Sequence, residues 1–297
     1  MPVEETTVIK ALDGRPLGAT ILDPVGEVRG AVVVFGALGV PRRYYAPFAA
    51  WLSARGIGVL TFDYRGCGDS RTVPLRHDPA TLLDWARLDA AAAVDVALAR
   101  WGRVWAVGHS FGGQAIGLTP RGRDLSGGVV VAAGSGDLQL WPPAFRALFR
   151  VRLGLVPAVA GLFGYIPGRL GLGVDLPAGV LRQWADWCRT PDYVRGALGR
   201  EGTHFHRITA PMHFYEFTDD TYAPAAPSAA IRGWYSRAPQ THRRIAPADL
   251  GLKQIGHFGP FRSGPTELVW HEILDAVTGT ARRDSAAISA AAIPAPA

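Results

Sequence analysis

The sequence contains little cysteine and no concentrated basic segment. Cys67 and Cys188 are the only cysteines in 297 residues, and neither belongs to a CxxC pair or lies near a pair of histidines. This excludes a disulfide framework and gives no indication of a zinc site. The formal net charge is +6 and the pI is near 9.7. Because the basic residues are almost all arginines that occur singly or in pairs, with no basic stripe, we expect no nucleic-acid partner.

Signals for export and for membrane insertion are also missing. Residues 1–5 (MPVEE) provide neither a basic start nor an apolar run, so nothing here directs export and we expect a cytoplasmic protein. The most membrane-like stretch, residues 148–172, is interrupted by Pro157 and Pro167 and carries three arginines. A membrane-spanning helix is therefore not expected.

Strand-like and helix-like segments alternate along the first part of the chain. Hydrophobic residues make up 48% of the sequence and charged residues 19%, with nine tryptophans, which is typical of a compact protein with an apolar core. Short apolar runs end at glycines, and segments with helical spacing separate them. This pattern predicts an α/β fold with a mostly parallel central sheet flanked by helices, whose ligand site lies at the carboxyl ends of the strands. The predicted elements are strand 28–36, helix 45–55, strand 58–62, helix 81–100, strand 104–107 and strand 128–133.

The alternation fails between residues 134 and 200, where the sequence becomes rich in Gly, Pro, Leu and Trp. It returns after residue 200, so we predict an inserted segment within one core. The predicted organisation is a first core part at 1–133, an insertion at 134–200, a second core part at 201–282 and a mobile Ala/Pro/Ser-rich tail at 283–297. The second part contains strand 212–217, helix 225–236, strand 240–245 and a last helix at 266–278.

Ser110 occupies the centre of a Gly-x-Ser-x-Gly pattern, Gly108 to Gly112 (GHSFG). A serine hydroxyl is a weak nucleophile, so it needs a base that takes its proton and donors that receive the oxyanion. The two glycines leave room for a sharp turn from strand to helix that holds a serine in strained backbone above a sheet. The pattern follows an apolar strand and precedes a helix-compatible segment. It therefore predicts a nucleophilic serine.

His257 is the best candidate for the base. It lies in a glycine-flanked loop, residues 255–260 (IGHFGP), just before the last helix, from which its ring can reach the sheet edge. Asp219 and Asp220 both end the strand 212–217, and either can orient the histidine and stabilise its protonated form. The other late histidines, which have no comparable loop context, are His204, His206, His213, His242 and His271.

Two segments resemble those of the α/β-hydrolase superfamily, and within it the serine aminopeptidase and monoacylglycerol lipase-like branch. Residues 63–70 (DYRGCGDS) are similar to its D-x-R-G-x-G-x-S loop, and residues 108–113 (GHSFGG) to its GHSxGG turn. The resemblance covers nearly the whole chain. It implies a Ser-Asp-His triad in that chain order, and it implies that the insertion is a helical cap.

The resemblance also bears on the acid and on the oxyanion hole. The acid of that branch usually stands in G-x-x-D-x-x-x-P; residues 217–224 match this pattern at Asp220 and Pro224 but have Phe217 in place of glycine. This favours Asp220 over Asp219. Where the branch usually has His-Gly after its first core strand, this chain has Gly36-Ala37. Because the donors are backbone N–H groups, the resemblance implies Leu38 and Phe111, with Ala37 as the alternative to Leu38.

The aromatic residues of the insertion suggest an apolar substrate. Trp141, Trp184 and Trp187 are predicted to bind an apolar or aromatic acyl group, although they can equally form the core of the cap. The predicted function is hydrolysis of a carboxylic ester without a metal or organic cofactor, with a small-molecule acyl substrate as the partner. An acyltransferase or cyclase with a non-water acceptor is the alternative, and a non-enzymatic binding protein on the same scaffold is a third class. The oligomeric state stays open, with a homodimer as one alternative.

Overall fold

A computed structural model describes residues 3–170 and 173–279. Eight strands form the central sheet in the order β1-β2-β4-β3-β5-β6-β9-β10, and β7 pairs with β8 in a separate two-stranded ribbon. The predicted tail at 283–297 lies outside the described residues. The strands are β1 Val3–Lys10, β2 Pro16–Asp23, β3 Gly30–Phe35, β4 Ile57–Phe62, β5 Trp105–His109, β6 Gly127–Val131, β7 Tyr165–Ile166, β8 Leu176–Pro177, β9 Met212–Phe217 and β10 Gln240–Ile245.

The central part of the sheet is parallel, as the sequence predicts. Strands β4, β3, β5, β6, β9 and β10 pair in parallel, so their carboxyl ends meet at one edge. The strands β3 to β6 are almost fully buried, which explains their continuous β-branched runs. The sequence interpretation missed β1 and β2, which add an antiparallel hairpin at one side. In β1 most residues are exposed and polar, so no hydrophobic run marks this strand.

Helices cover both faces of the sheet. Helices α1 and α9 pack on one face around Phe48 and Trp270, whereas α3, α4 and α8 pack on the other. The described residues between β6 and β9 include three further helices. The helices are α1 Ala46–Ser53, α2 Leu82–Asp84, α3 Ala90–Trp101, α4 Phe111–Leu118, α5 Pro143–Phe163, α6 Ala178–Arg189, α7 Tyr193–Leu198, α8 Ala225–Trp234 and α9 Glu267–Thr278.

Helix α5 continues through Pro157, which the sequence analysis treated as an interruption. A proline inside a helix removes the hydrogen bond to the carbonyl four residues earlier, here that of Leu153. The guanidinium of Arg189 on α6 donates to the Leu153 oxygen at 2.8 Å. This long-range hydrogen bond replaces the missing one and allows the helix to continue. No helix in the described part of the chain is long and apolar enough to cross a membrane.

Buried hydrogen bonds and an ion pair join the loop that follows β4 to the turn that precedes α3. A π-helical turn, Trp85–Asp89, lies between α2 and α3 and directs Asp89 toward Arg65. The Arg65 Nε donates to Asp89 Oδ1 at 2.7 Å, and the Arg65 backbone N–H donates to Asp89 Oδ2 at 2.9 Å. Burial raises the pKa of Asp89 to about 6. These contacts give residues 63–70 a structural role and hold β4 against α3.

Candidate active site

Ser110 stands at the turn between β5 and α4 in a backbone conformation that L-residues rarely adopt, with φ 53° and ψ −115°. A Cβ at Gly112 would lie 2.0 Å from the Phe35 carbonyl oxygen, and one at Gly108 would lie 2.5 Å from Gly112. Both glycines are therefore required for this turn. The same close approach places the end of β3, and the loop after it, beside Ser110. The turn leaves Ser110 partly exposed at the carboxyl edge of the sheet.

His257 and Asp220 form a buried hydrogen-bonded pair. The Asp220 Oδ2 lies 2.8 Å from His257 Nδ1, and the two side chains are almost completely inaccessible to solvent. A carboxylate only accepts hydrogen bonds, so Nδ1 carries the proton and Nε2 keeps its lone pair. The other Asp220 oxygen accepts from the backbone N–H groups of Tyr222 and Ala223 at 2.7 and 3.1 Å. The backbone of residues 222–223 therefore fixes the orientation of the Asp220 carboxylate.

Asp219 contacts the same loop differently. Its Oδ2 accepts from the backbone N–H groups of Ile255 and Gly256 at 2.8 and 3.0 Å and makes no hydrogen bond to the imidazole of His257. Gly256 has a φ of 60°, in the region that favours glycine. Asp219 therefore holds the backbone of the histidine loop, while Asp220 contacts its ring.

A hydrogen-bonded relay connects the loop after β3 to the loop of His257. The Ala37 N–H donates to Tyr45 Oη at 2.8 Å, and that oxygen lies 2.9 Å from His109 Nδ1. The other ring nitrogen of His109, Nε2, lies 2.9 Å from the His257 carbonyl oxygen. The His257 carbonyl can only accept, so His109 Nε2 carries the proton and donates to it. In the neutral ring Nδ1 then has no proton, so Tyr45 Oη donates to Nδ1 while it accepts from the Ala37 N–H. The relay places the His257 loop against the residue before Ser110.

The relay also distinguishes between Ala37 and Leu38, the two candidate oxyanion donors in the loop after β3. The Ala37 N–H is occupied by Tyr45 Oη. Within residues 3–170 and 173–279, the N–H groups of Leu38 and Phe111 donate to no protein acceptor. Phe111 is the first residue of α4, where N–H groups are unsatisfied and the helix dipole favours negative charge. This arrangement favours Leu38 over Ala37 as the partner of Phe111.

The three predicted substrate-binding tryptophans occupy different environments. Trp141 is partly exposed and stacks on Phe145, with ring centroids 4.5 Å apart. Trp184 is partly buried and lies edge-on to Phe149 at 5.6 Å. Trp187 is only 3% exposed and packs in the hydrophobic core. Trp141 and Trp184 therefore share one aromatic cluster through Phe145 and Phe149, and Trp187 lies outside it.

Three aromatic residues lie around the loop of His257, and the sequence analysis assigned no functional role to two of them, Tyr222 and Phe258. The third, Tyr44, follows the predicted oxyanion loop, where either a polar contact with substrate or a solvated surface is expected for it. The Tyr222 ring is 62% exposed and lies 5.1 Å from the His257 ring, centroid to centroid. Phe258 lies edge-on to His257 at 5.1 Å, and Tyr44 Oη donates to the Phe258 carbonyl. Tyr222 falls inside the 217–224 motif, which was the only sequence signal for it. Among the described residues, no cluster of three or more His, Cys, Asp or Glu could hold a metal ion.

The model of the alpha/beta hydrolase family matches residues 32–271. This range includes the Ser110 turn, both aspartates and His257, and it spans most of the chain. The chain therefore belongs to the alpha/beta hydrolase family, as its sequence motifs predict. A comparison with functionally curated proteins found no match.

Solved structures with the same fold include esterases and lipases. A soluble variant of monoglyceride lipase from Saccharomyces cerevisiae has a TM-score of 0.64 at 15% identity, covering 95% of this chain and 96% of its own. An esterase from Thermogutta terrifontis has a TM-score of 0.61 at 15% identity, covering 94% and 100%. A monoacylglycerol lipase from Paleococcus ferrophilus has a TM-score of 0.58 at 16% identity, covering 89% and 98%. These similarities confirm the predicted fold.

The relay predicts that Tyr45→Phe lowers kcat about tenfold with little change in KM. Loss of Oη leaves Ala37 N–H and His109 Nδ1 unpaired in a buried site, which costs about 1–3 kcal/mol for each group and loosens both loops. Ester hydrolysis and denaturant unfolding measure the two effects. Tyr64→Phe is the matched control, since Tyr64 Oη is buried and has no partner among the described residues. An equal loss of kcat in both variants would argue against the relay.

His109 is predicted to stay neutral well below pH 6.5. Burial lowers the pKa of this histidine, and the neighbouring His257 lowers it further. The unfolded chain binds a proton here below about pH 6.5 whereas the folded chain does not, so this group opposes folding increasingly as the pH falls through that value. Asp89, with its raised pKa, acts in the opposite direction. Ring ¹⁵N shifts between pH 8 and 5 measure His109 directly, and its titration near pH 6.5 would contradict the prediction.

Proposed function

We propose that this protein is a serine hydrolase that cleaves carboxylic esters with an apolar or aromatic acyl group. The observation that carries the proposal is the 2.8 Å hydrogen bond between Asp220 and His257, in a loop that lies against the strained turn of Ser110. Membership of the alpha/beta hydrolase family supports the class of reaction. The monoglyceride lipases and the esterase with this fold support the choice of ester bonds.

The proposed reaction begins with attack of Ser110 Oγ on the ester carbonyl carbon. His257 Nε2 takes the hydroxyl proton as the new C–O bond forms, and Asp220 stabilises the resulting imidazolium. The N–H groups of Leu38 and Phe111 donate hydrogen bonds to the negatively charged carbonyl oxygen. Because the backbone already orients both groups, this stabilisation requires no reorganisation.

Collapse of the tetrahedral intermediate breaks the bond to the leaving alcohol, which takes the proton from His257. The acyl group then remains on Ser110 Oγ. A water molecule gives its proton to His257 Nε2 and attacks the acyl carbon, and the second intermediate releases the carboxylic acid and restores the serine hydroxyl. These steps use a proton acceptor, an acid partner and two N–H donors, all supplied by the chain.

Aromatic side chains beside His257 and in the insertion support an apolar substrate. Tyr222 and Phe258 flank His257, and the stacked rings of Trp141, Phe145 and Phe149 form an apolar surface in the insertion. Aromatic side chains of this kind line most small-molecule pockets. We therefore assign the acyl group to these surfaces.

A series of p-nitrophenyl esters of graded acyl length tests the proposal. We expect turnover that depends on Ser110 and a kcat/KM that rises from short acyl groups to longer or aromatic ones. Absence of turnover across the series would contradict ester hydrolysis. Addition of a primary alcohol to the same assay measures the partition of the acyl group. A product that is mainly the new ester, rather than the acid, would identify an acyltransferase instead.

A further inference from the structure

Helix α5 carries an apolar stripe that faces solvent. We define the α5 stripe as Leu148, Val151, Leu155 and Leu162, which are 52%, 63%, 56% and 77% exposed. Their spacing of three, four and seven residues places them on one face of a helix with 3.6 residues per turn. With Phe163, five of the 15 exposed large hydrophobic side chains of the described residues lie on this helix. The concentration is unusual, because exposed apolar residues normally occur singly.

The stripe does not serve the packing of the insertion. The opposite face of α5 supplies the contacts with the rest of the molecule, through Leu153 and Ala160, each 2% exposed. Phe149 and Val156 pack on that side against the core, and Arg189 of α6 binds the Leu153 carbonyl. One face therefore anchors the helix, and the other is available to a partner.

The charges on α5 all have one sign. The helix contains Arg146, Arg150 and Arg152 and no acidic residue. Among the described residues, none of these three guanidinium groups forms an ion pair, whereas buried arginines such as Arg65 are paired with carboxylates. Arg150 and Arg152 are exposed, whereas Arg146 is half-buried and lies seven residues before Leu153, on the anchoring face. The helix thus combines an exposed apolar face with two exposed arginines that form no ion pair among the described residues.

We propose that the α5 stripe docks on an anionic lipid surface. Apolar side chains of a helix lying in the membrane plane enter the boundary between headgroups and acyl chains, and flanking arginines bind the phosphates. A second copy of the chain fits this face less well, because pairing two α5 helices would bring four exposed arginines together without an acidic residue on either helix. The inference goes beyond the proposed ester hydrolysis and requires no acyl chemistry.

Flotation with lipid vesicles tests the docking of the whole protein. Vesicles of phosphatidylcholine alone are compared with vesicles containing about one third phosphatidylglycerol, at low and high salt. We expect binding to the anionic vesicles to exceed binding to the neutral ones by at least about tenfold and to weaken with salt. Val151→Glu/Leu155→Glu should remove binding, and Arg150→Gln/Arg152→Gln should lower it about tenfold or more.

Val8→Glu/Leu268→Glu is the matched control, since both side chains are exposed on other elements, at 64% and 49%. This control should bind like the unchanged protein. Circular dichroism establishes that each variant is folded. Absence of binding to anionic vesicles, equal binding to neutral vesicles, or unchanged binding of the α5 variant would overturn the proposal. A dimer in sedimentation that the α5 substitutions dissociate would assign the face to a second copy instead. Binding by Ser110→Ala separates this result from failure of the proposed hydrolysis.

Discussion

Ser110→Ala is expected to lower kcat for a p-nitrophenyl ester by about 10⁵- to 10⁶-fold, which is the loss seen when a triad nucleophile is removed. The remaining groups still bind the ester and polarise its carbonyl, so a small rate above that of water should persist. KM should change little, because the hydroxyl acts mainly in the transition state. Active-site titration with a slow-reacting ester would show loss of the initial burst.

The fold of this variant should be preserved. Alanine has the same Cβ as serine and therefore experiences the same backbone strain at a φ of 53°. The melting temperature should stay close to that of the unchanged protein. Ser236→Ala, at an exposed serine outside the site, controls for the loss of a hydroxyl and should retain full activity. Retention of more than about a hundredth of kcat in Ser110→Ala would exceed what a triad without its nucleophile supports.

Asp220→Asn is expected to lower kcat by about 10⁴-fold without unfolding the protein. An asparagine of the same size can present its amide to His257 Nδ1, which then favours the wrong tautomer and leaves Nε2 protonated. The carboxylate that stabilises the imidazolium is also lost. Activity measured across pH should show a larger loss near neutral pH than at alkaline pH, where hydroxide can replace the base.

Asp219→Asn provides the matched comparison at the neighbouring position. Its amide oxygen can still accept from Ile255 and Gly256, so the histidine loop keeps both hydrogen bonds and kcat should fall by no more than about tenfold. The ratio of the kcat values of Asp219→Asn and Asp220→Asn decides which aspartate is the acid of the triad. If Asp219→Asn were the more damaging change and Asp220→Asn nearly neutral, the assignment of the acid would be reversed.

The parts of the site that depend on local backbone geometry were predictable from sequence. The Ser110 turn has its glycines at fixed positions, and the positive φ and the close packing of Gly112 against β3 explain why they are needed. The alternation of apolar runs and helices likewise predicts the parallel sheet, because buried strands require continuous hydrophobic residues. His257 was predicted from its loop and its place late in the chain, and its pairing with Asp220 agrees with the order of the motifs.

The parts that depend on distant pairs of residues were not predictable. Tyr45 and His109 are 64 residues apart, and His109 reaches a carbonyl 148 residues away. Neither contact leaves a periodic signal. The continuity of α5 through Pro157 likewise depends on the hydrogen bond from Arg189 to the Leu153 carbonyl, a pair 36 residues apart, and no local propensity indicates this contact. Strand β1 was missed because Ile9 is its only buried apolar residue, so its pairing rather than its composition defines it. Strand β2 buries Leu17, Ala19, Ile21 and Leu22, and this short apolar signal was not recognised as a strand.

Covalent labelling with a fluorophosphonate tests the central claim most directly. The reagent phosphonylates a serine only where a base and an oxyanion hole activate it. The folded protein is labelled and then digested, and peptide mass spectrometry is predicted to find one adduct, on Ser110. Labelling should be lost in Ser110→Ala and strongly slowed in Asp220→Asn. An unlabelled Ser110 in a folded protein, or an adduct at another serine that persists in Ser110→Ala, would contradict the account.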